Sequence, residues 1–305
     1  MNWQQAEIPT PMVGINDPLF TQYQVDVYLK RDDLNHPTIQ GNKWHKLKLN
    51  LKHAQQKQYN CLITFGGAFS NHIAATASAA QQAGLKSIGY IRGEELAGLP
   101  EKWSPTLIKA AQDGMQLRFL SRQAYRNKET DAFINTIKAE FPNAAILPEG
   151  GSNALAIDGF ANLMQDIEQQ QPDFTHLYTA VGTGGTLAGL LKHAHYKPQR
   201  TLQGVAVLKQ ADYLVPQIEA WCAANPQPLD WRLLLDYHDG GYGKLSAELQ
   251  HFKQTFESRF NIPLDPVYTT KMCYAFYQEL KLGRIPKGSK VVLLHTGGLQ
   301  GNPSN

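Results

Sequence analysis

Residues 61–84, CLITFGGAFSNHIAATASAAQQAG, pass from an apolar run through a polar glycine loop into an alanine-rich stretch. The run at 61–65 is short and apolar throughout, as a strand buried on both faces of a parallel sheet must be. The stretch from Ile73 to Ala83 has helix-forming composition and stops at Gly84, a residue suited to closing a helix. Strand, loop and helix in that order form the repeating unit of an α/β fold, and the unit recurs. Similar apolar runs stand at 87–91, 115–120, 144–147, 176–181, 204–208 and 291–294. Between them lie helical stretches with proper ends. Ser104-Pro105 supplies an N-cap and a first-turn proline, and Gly114 closes that helix.

The class is therefore α/β, with two open twisted sheets and flanking helices. Residues 50–150 hold four strand candidates, enough for a small unit. Residues 1–49 and 151–305 are expected to form the larger one. No linker rich in Pro, Gly or Ser separates them, so short connections must cross between them. A cleft between the two is the natural ligand site.

At 42% hydrophobic and 18% charged residues, the 305-residue chain reads as a soluble globular protein with a substantial core. A net charge of +3, with scattered basic residues, gives no ground for a nucleic-acid or membrane partner. No apolar run is long enough to span a bilayer, and the first residues lack the pattern of a signal peptide. Cys61, Cys222 and Cys273 are far apart and odd in number, which suits a reducing cytoplasm and offers no zinc framework. His193 and His195, two apart on a helical stretch, face different ways and are not read as a metal pair. No metal is expected.

Four separated pieces carry chemistry. Lys43 follows Gly41-Asn42 and opens a helical pattern with Trp44, Leu47, Leu51 and Ala54 on one face, with Asn42 as the expected N-cap. A lysine in a helix's first turn opposes the positive end of the dipole. That field, with partial burial, lowers the amine's pKa and favours Schiff-base chemistry; the bland alternative is a solvated lysine. Gly182-Thr183-Gly184-Gly185-Thr186 links an apolar strand to a helix, where backbone N–H groups can cradle an anion. It fits neither the Walker nor the dinucleotide spacing, so a phosphate monoester is the better guess, against an ordinary tight turn. Ser70 and Asn71, in Gly66-Gly67-Ala68-Phe69-Ser70-Asn71-His72, can bond a carboxylate or a ring hydroxyl, unless Asn71 merely caps the helix. Thr296 stands at the carboxyl end of the last strand, where open α/β sheets place ligands. Tyr242 and Tyr268 lie in turn-rich segments. The four pieces in this order point to an enzyme using pyridoxal phosphate.

With these residues in hand, the chain resembles fold-type II pyridoxal-phosphate enzymes of the tryptophan synthase β-like fold. More closely it resembles the D-cysteine desulfhydrase and aminocyclopropane-carboxylate deaminase family. The likeness runs from Lys30-Arg31-Asp32-Asp33 through Gly41-Asn42-Lys43 and Ser70-Asn71-His72 to His295-Thr296-Gly297-Gly298. It implies that Lys43 binds the cofactor as an internal aldimine, that Asn71 bonds its ring hydroxyl and that Ser70 faces the substrate. It makes Gly182, Thr183, Gly184, Gly185 and Thr186 the phosphate cup, Tyr242 and Tyr268 active-site tyrosines, and Thr296 the partner of the pyridine nitrogen. A neutral threonine there leaves the ring a weaker electron sink, favouring prompt β-elimination. The resemblance also implies a homodimer.

Two departures bear on the substrate. Deaminases of this family carry glutamate after the tyrosine matching Tyr268, and Thr269 stands there instead. Ala68-Phe69 replaces the usual pair ending in glutamine. The expectation is a lyase performing α,β-elimination on a small amino acid, D-cysteine before others, giving pyruvate, ammonia and hydrogen sulfide. The alternatives are aminocyclopropane-carboxylate deaminase, a D-serine or β-chloroalanine eliminase, and, in another class, a low-turnover cofactor carrier or regulator. A nucleotide-binding role for the glycine loop ranks below these.

Overall fold

The computed structural model describes residues 2–227 and 229–299, and its ten strands form two sheets. In chain order they are β1 (Met12–Ile15), β2 (Asp26–Lys30), β3 (Cys61–Gly67), β4 (Lys86–Arg92), β5 (Met115–Leu120), β6 (Ala144–Ile146), β7 (His176–Val181), β8 (Thr201–Ala206), β9 (Asp230–Leu234) and β10 (Lys290–Leu294). The four-stranded sheet runs β5-β4-β3-β6 and is parallel throughout. The six-stranded sheet runs β1-β2-β10-β7-β8-β9 and is parallel except for β1 against β2.

All seven expected strands are present, two of them with the anticipated ends. The run expected at 204–208 pairs instead as Thr201–Ala206, starting three residues earlier and ending two earlier. Of its extra apolar residues, Val207 still donates its N–H to Val181 O at 3.0 Å and is buried in the core, and Leu208 is half-buried beyond it. Strands β1, β2 and β9 carried no readable signal. β9 is an edge strand, with no residue of Asp230–Leu234 fully buried, and β1 has only Ile15 buried.

Helices cover both faces of both sheets, as parallel strands require. On one face of the large sheet, Leu177, Leu202 and Val292 pack with Phe160, Leu187 and Leu190. On the other, Leu29, Val291 and Leu293 meet Phe20, Met272 and Phe276. In the small sheet Ile63, Phe65 and Ile88 pack with Tyr125 and Ile137, while Ile91 turns to Ile73, Ala77 and Leu107. Each large apolar side chain so buried contributes about 1.5–3 kcal/mol over its exposed state.

The helix Asn42–Gln56 buries Trp44, Leu47, Leu51 and Ala54, the four residues of its anticipated apolar face. It continues without a break past residue 50, so the expected boundary between units falls inside it. Its N-cap is Gly41 rather than Asn42, which is already helical. This helix also lies very close to Gly159, at the end of the short helix Ala154–Asp158: a Cβ on Gly159 would stand 2.0 Å from the His45 carbonyl oxygen. Backbone cannot yield as a side chain does. Gly159→Ala should therefore cost about 1–3 kcal/mol or more, read as a lower urea midpoint at unchanged slope.

Candidate active site

The site begins with a knot of buried polar groups under Gly41. Asn35 holds that residue from both sides: its Oδ1 accepts from Gly41 N–H at 2.8 Å and its Nδ2 donates to Gly41 O at 3.0 Å. Asp32, fully buried, accepts from Asn35 Nδ2 at 3.3 Å and lies 3.0 Å from His45 Nε2. Asp33 takes both arms of Arg31, at 2.9 and 2.8 Å, and approaches His295 Nδ1 at 3.5 Å. The buried His295 ring donates from Nε2 to Pro263 O at 2.7 Å and accepts Gly297 N–H at Nδ1. Those partners assign the Nε2-protonated tautomer, and burial pushes the ring pKa down, keeping it neutral. The segment Lys30 to Asp33 thus fixes the two loops on either side of the site.

Gly41 is pressed against the end of β10. At φ +60 its backbone lies so close to Thr296 that an added Cβ would stand 2.0 Å from the Thr296 oxygen. Asn42 N–H donates to that same oxygen at 3.3 Å. The contact starts the Asn42–Gln56 helix at the carboxyl edge of the large sheet and aims Lys43 into the cavity there.

Lys43 Nζ donates to Asn42 Oδ1 at 2.9 Å, and Asn42 Nδ2 donates to Thr186 Oγ1 at 2.9 Å. The amine also lies 5.9 Å from the centre of the Tyr268 ring. Burial lowers its pKa to about 8, with Asp265 opposing the shift. The direction matches the expectation; the dominant cause is desolvation.

The glycine loop follows β7, and Gly184, at φ +80, is the N-cap of the helix Gly185–His193. A Cβ on Gly185 would stand 2.4 Å from Ser152 Oγ and 3.2 Å from Lys46 Nζ. The loop is therefore a cradle whose floor is a second lysine. Lys46 Nζ donates to Gly150 O at 2.8 Å and Ser152 Oγ at 2.9 Å, with Thr183 Oγ1 at 3.5 Å. Burial, and then Lys43, hold its pKa well below the usual lysine value.

Across the cavity, Ser70 is the N-cap of the helix Asn71–Gln82, yet its hydroxyl makes no capping bond. Asn71 is already helical and is not the cap. Asn71 Nδ2 and Asp265 Oδ2 flank Gly298, and a Cβ there would stand 2.6 and 3.0 Å from them. Asp265 is buried, which raises its pKa to about 6, while backbone N–H groups and Asn71 hold the rise in check. Its Oδ1 accepts from the N–H of Val267 at 3.0 Å and from that of Tyr268, fixing the turn that carries the tyrosine.

Lys43, Ser70, Asn71, Gly182 to Thr186, Tyr268 and Thr296 line one cavity between the carboxyl ends of the two sheets. Tyr242 lines the adjoining outer cavity. Its ring meets that of Tyr268 edge-on with centres 6.1 Å apart, and Tyr268 OH donates to Tyr242 OH at 3.4 Å. Tyr242 OH in turn donates to Phe69 O at 3.2 Å. Burial raises both phenol pKa values, most strongly that of Tyr268. Phe69 itself is 59% exposed and lines neither cavity, so the replaced pair acts here through its backbone carbonyl.

Sequence reading passed over Lys46, Ser152 and Asp265. Lys46 had a signal, since it stands three residues after Lys43 and shares its helix face. Asp265 had one as well, because an Asp before a Pro-containing turn bonds backbone N–H groups downstream. Ser152 comes from a distant loop and had none. Among the described residues no cluster of His, Cys, Asp or Glu is arranged to hold a metal, and His195 pairs with Glu168.

A family model described as pyridoxal-phosphate dependent enzyme matches residues 4–297. The chain belongs to that family. Its cofactor is pyridoxal phosphate, and its two sheets are those of fold type II. It is 31% identical to a putative 1-aminocyclopropane-1-carboxylate deaminase of Pyrococcus horikoshii, over 90% of this chain and 85% of that one. It is 28% identical to a bifunctional D-cysteine desulfhydrase/1-aminocyclopropane-1-carboxylate deaminase, mitochondrial, of Arabidopsis thaliana, over 97% and 78%. Among solved structures, one described as an ACC deaminase homologue superposes with a TM-score of 0.82 at 27% identity, covering 97% and 91%. A threonine deaminase isoform of Solanum lycopersicum shares the fold alone, with a TM-score of 0.69 at 14% identity.

The residues present fit pyridoxal phosphate. The cradle with the Lys46 floor suits a phosphate dianion, and Lys43 supplies an amine that is half neutral at its pKa of about 8. Two outcomes follow. Capture of pyridoxal phosphate by the apoprotein should accelerate as pH rises through about 8, not 10.5, because the neutral amine is the nucleophile; stopped-flow absorbance checks it. Lys46→Met should weaken pyridoxal phosphate about tenfold or more while changing affinity for phosphate-free pyridoxal far less, as equilibrium dialysis reads.

Proposed function

We propose that this protein is a lyase that eliminates a leaving group from the β-carbon of a small amino acid, with D-cysteine giving pyruvate, ammonia and hydrogen sulfide. The observation that carries this reading is a pair of opposed proton groups at one cavity. Lys43 has its amine pKa lowered, and Tyr268 has its phenol pKa raised. Groups pushed apart in this way serve as base and acid. Bound pyridoxal phosphate supplies the electron sink that makes the substrate's α-proton labile. Lys43 Nζ takes that proton. Tyr268, backed by Tyr242, stays protonated and gives a proton to the departing sulfur. Ser70, whose hydroxyl caps nothing, faces the substrate. Asn71 and Thr296 would hold the cofactor ring, Thr296 as a neutral partner of its nitrogen. Gly182, Thr183, Gly184, Gly185 and Thr186 receive the phosphate together with Lys46.

In this reading residues 50–150 supply Ser70 and Asn71, and residues 1–49 with 151–305 supply the rest. A homodimer follows the family resemblance. The cytoplasm suits three buried cysteines, none in a disulfide among the described residues. No helix among those residues is long and apolar enough to cross a membrane.

Aminocyclopropane-carboxylate deaminase is the second reading, favoured by the names of the relatives. Thr269 speaks against it. That side chain is fully buried, accepting Asp265 N–H at 2.7 Å and donating to Asp265 O at 3.3 Å, so it presents no acid to the cleft. The experiment is product analysis with the cofactor-saturated protein on D-cysteine, L-cysteine and the cyclopropane amino acid. Sulfide and pyruvate from D-cysteine, abolished by Lys43→Ala, are expected. 2-Oxobutyrate from the cyclopropane substrate, without sulfide from either cysteine, would replace this reading with the second.

A further inference from the structure

The cavity that Lys43 faces opens into an outer one of about 570 Å³. The two are continuous, since Ser70, Gly150, Gly182, Thr183 and Tyr268 line both. Cavities of 300–1,000 Å³ bury ligands of drug size, and a thiol on a three-carbon amino acid fills little of one. The outer walls differ in character. From the large sheet's side come Leu208, the half-buried Trp221 and the exposed Tyr213 and Gln217, with Leu214 buried behind them, a wall of two aromatic rings and one amide. From the small sheet's side come Arg92 and Lys128 with Glu149.

Those charges are not equivalent. Lys128 is committed, with Glu149 at 3.1 Å and Glu129 at 3.6 Å. Arg92 joins no ion pair or side-chain hydrogen bond among the described residues, and its nearest aromatic contact is the Tyr125 ring at 5.9 Å. It ends β4 in register with Gly67 at the end of β3, three residues before Ser70. A Cβ on Gly67 would stand 3.6 Å from Arg92 Nη2, so the guanidinium lies over that glycine at the ligand-facing edge of the sheet. A planar, permanently charged fork in that position is suited to a carboxylate.

We propose that the outer cavity is a subsite for the substrate's β-substituent, and that the preferred substrate is an S-conjugate of cysteine with an apolar body and an acidic end. The apolar body lies along Trp221 and Tyr213, and the acidic end reaches Arg92. This rests on the elimination reading of the inner cavity and names its substrate class. The conjugate loses its α-proton, the Cβ–S bond breaks with its electrons going to sulfur, and the departing thiolate takes a proton. Water then hydrolyses the remaining three-carbon fragment to pyruvate and ammonium. No oxidant or reductant is needed.

Pyruvate formation from D-cysteine, S-benzylcysteine and S-(4-carboxybenzyl)cysteine, each as both isomers, tests it with the cofactor-saturated protein. The carboxybenzyl conjugate should exceed D-cysteine about tenfold or more in kcat/KM. Arg92→Gln should cut the ratio of carboxybenzyl to benzyl turnover about tenfold. Trp221→Ala should lower turnover of both conjugates relative to cysteine. Turnover of D-cysteine equal to or better than that of every conjugate overturns the subsite and leaves elimination standing. If no substrate yields pyruvate, the elimination reading fails. Equilibrium dialysis of the carboxybenzyl conjugate then decides the subsite, which is overturned by absent binding or by equal binding to wild type and Arg92→Gln.

Discussion

The site depends on one contact, the approach of Gly41 to the Thr296 carbonyl, where not even a methyl group has room. It joins the start of the Asn42–Gln56 helix to the carboxyl end of β10, two segments 250 residues apart in sequence. Everything else is positioned from it. Lys43 is fixed because its helix cannot slide, and Thr296 is fixed because its oxygen holds Asn42 N–H. The polar knot beneath exists to make the contact affordable. Asn35 satisfies both backbone groups of a glycine in a conformation that side-chain-bearing residues avoid, and Asp32 accepts from Asn35 and meets His45. Buried polar groups carry a desolvation cost unless fully partnered, and Asp32 Oδ2 and His45 Nδ1 have no hydrogen-bond partner among the described residues. The bonds that are made set a geometry.

The fold was legible wherever strands were buried on both faces, because parallel sheets leave a continuous apolar run. The stretch 176–181, buried at every residue, shows this, while 115–120 was legible from its apolar residues although β5 is an edge strand with only Met115 buried. Strands β1, β2 and β9 were not legible for the opposite reason. They lie at or beside sheet edges, carry Gly14, Asp26, Asp230 and Arg232, and owe their pairing to neighbours already in place. The helix beginning at Asn42 shows the limit of local rules. Asn is a favoured N-cap, but the Gly41 contact moves the cap one residue earlier and turns the Asn42 side chain to Thr186.

The residues lining the cavity were legible where a polar or glycine loop follows a strand, as with Ser70, Asn71, the glycine loop and Thr296, and at Lys43 in a helix's first turn. Lys46, Ser152 and Asp265 became visible only when distant loops met. Ser152 means nothing until Thr183 stands 2.7 Å from its hydroxyl. Asp265 looks like an ordinary turn residue until burial and Asn71 give it a second task.

These missed residues explain the electrostatics of the whole. Lys43 and Lys46 are buried on one helix face; the Lys43 charge lowers the Lys46 pKa further, and the buried Asp265 opposes the shift at Lys43. Desolvation drives both amines toward neutrality. For Lys43 that is an advantage, because only the neutral amine attacks an aldehyde or removes a proton. For Lys46 the opposite state is wanted, since an ammonium binds phosphate better than an amine does. A phosphate settling on the glycine loop brings the missing negative charge beside Lys46 and favours its protonation. Lys43 is placed differently, its Nζ held by Asn42 Oδ1 at 2.9 Å and its pKa set near 8 by burial. In the proposed reading, two chemically identical side chains three residues apart are thus given different tasks by where the anion sits, because Lys46 is the one that stands against the glycine loop.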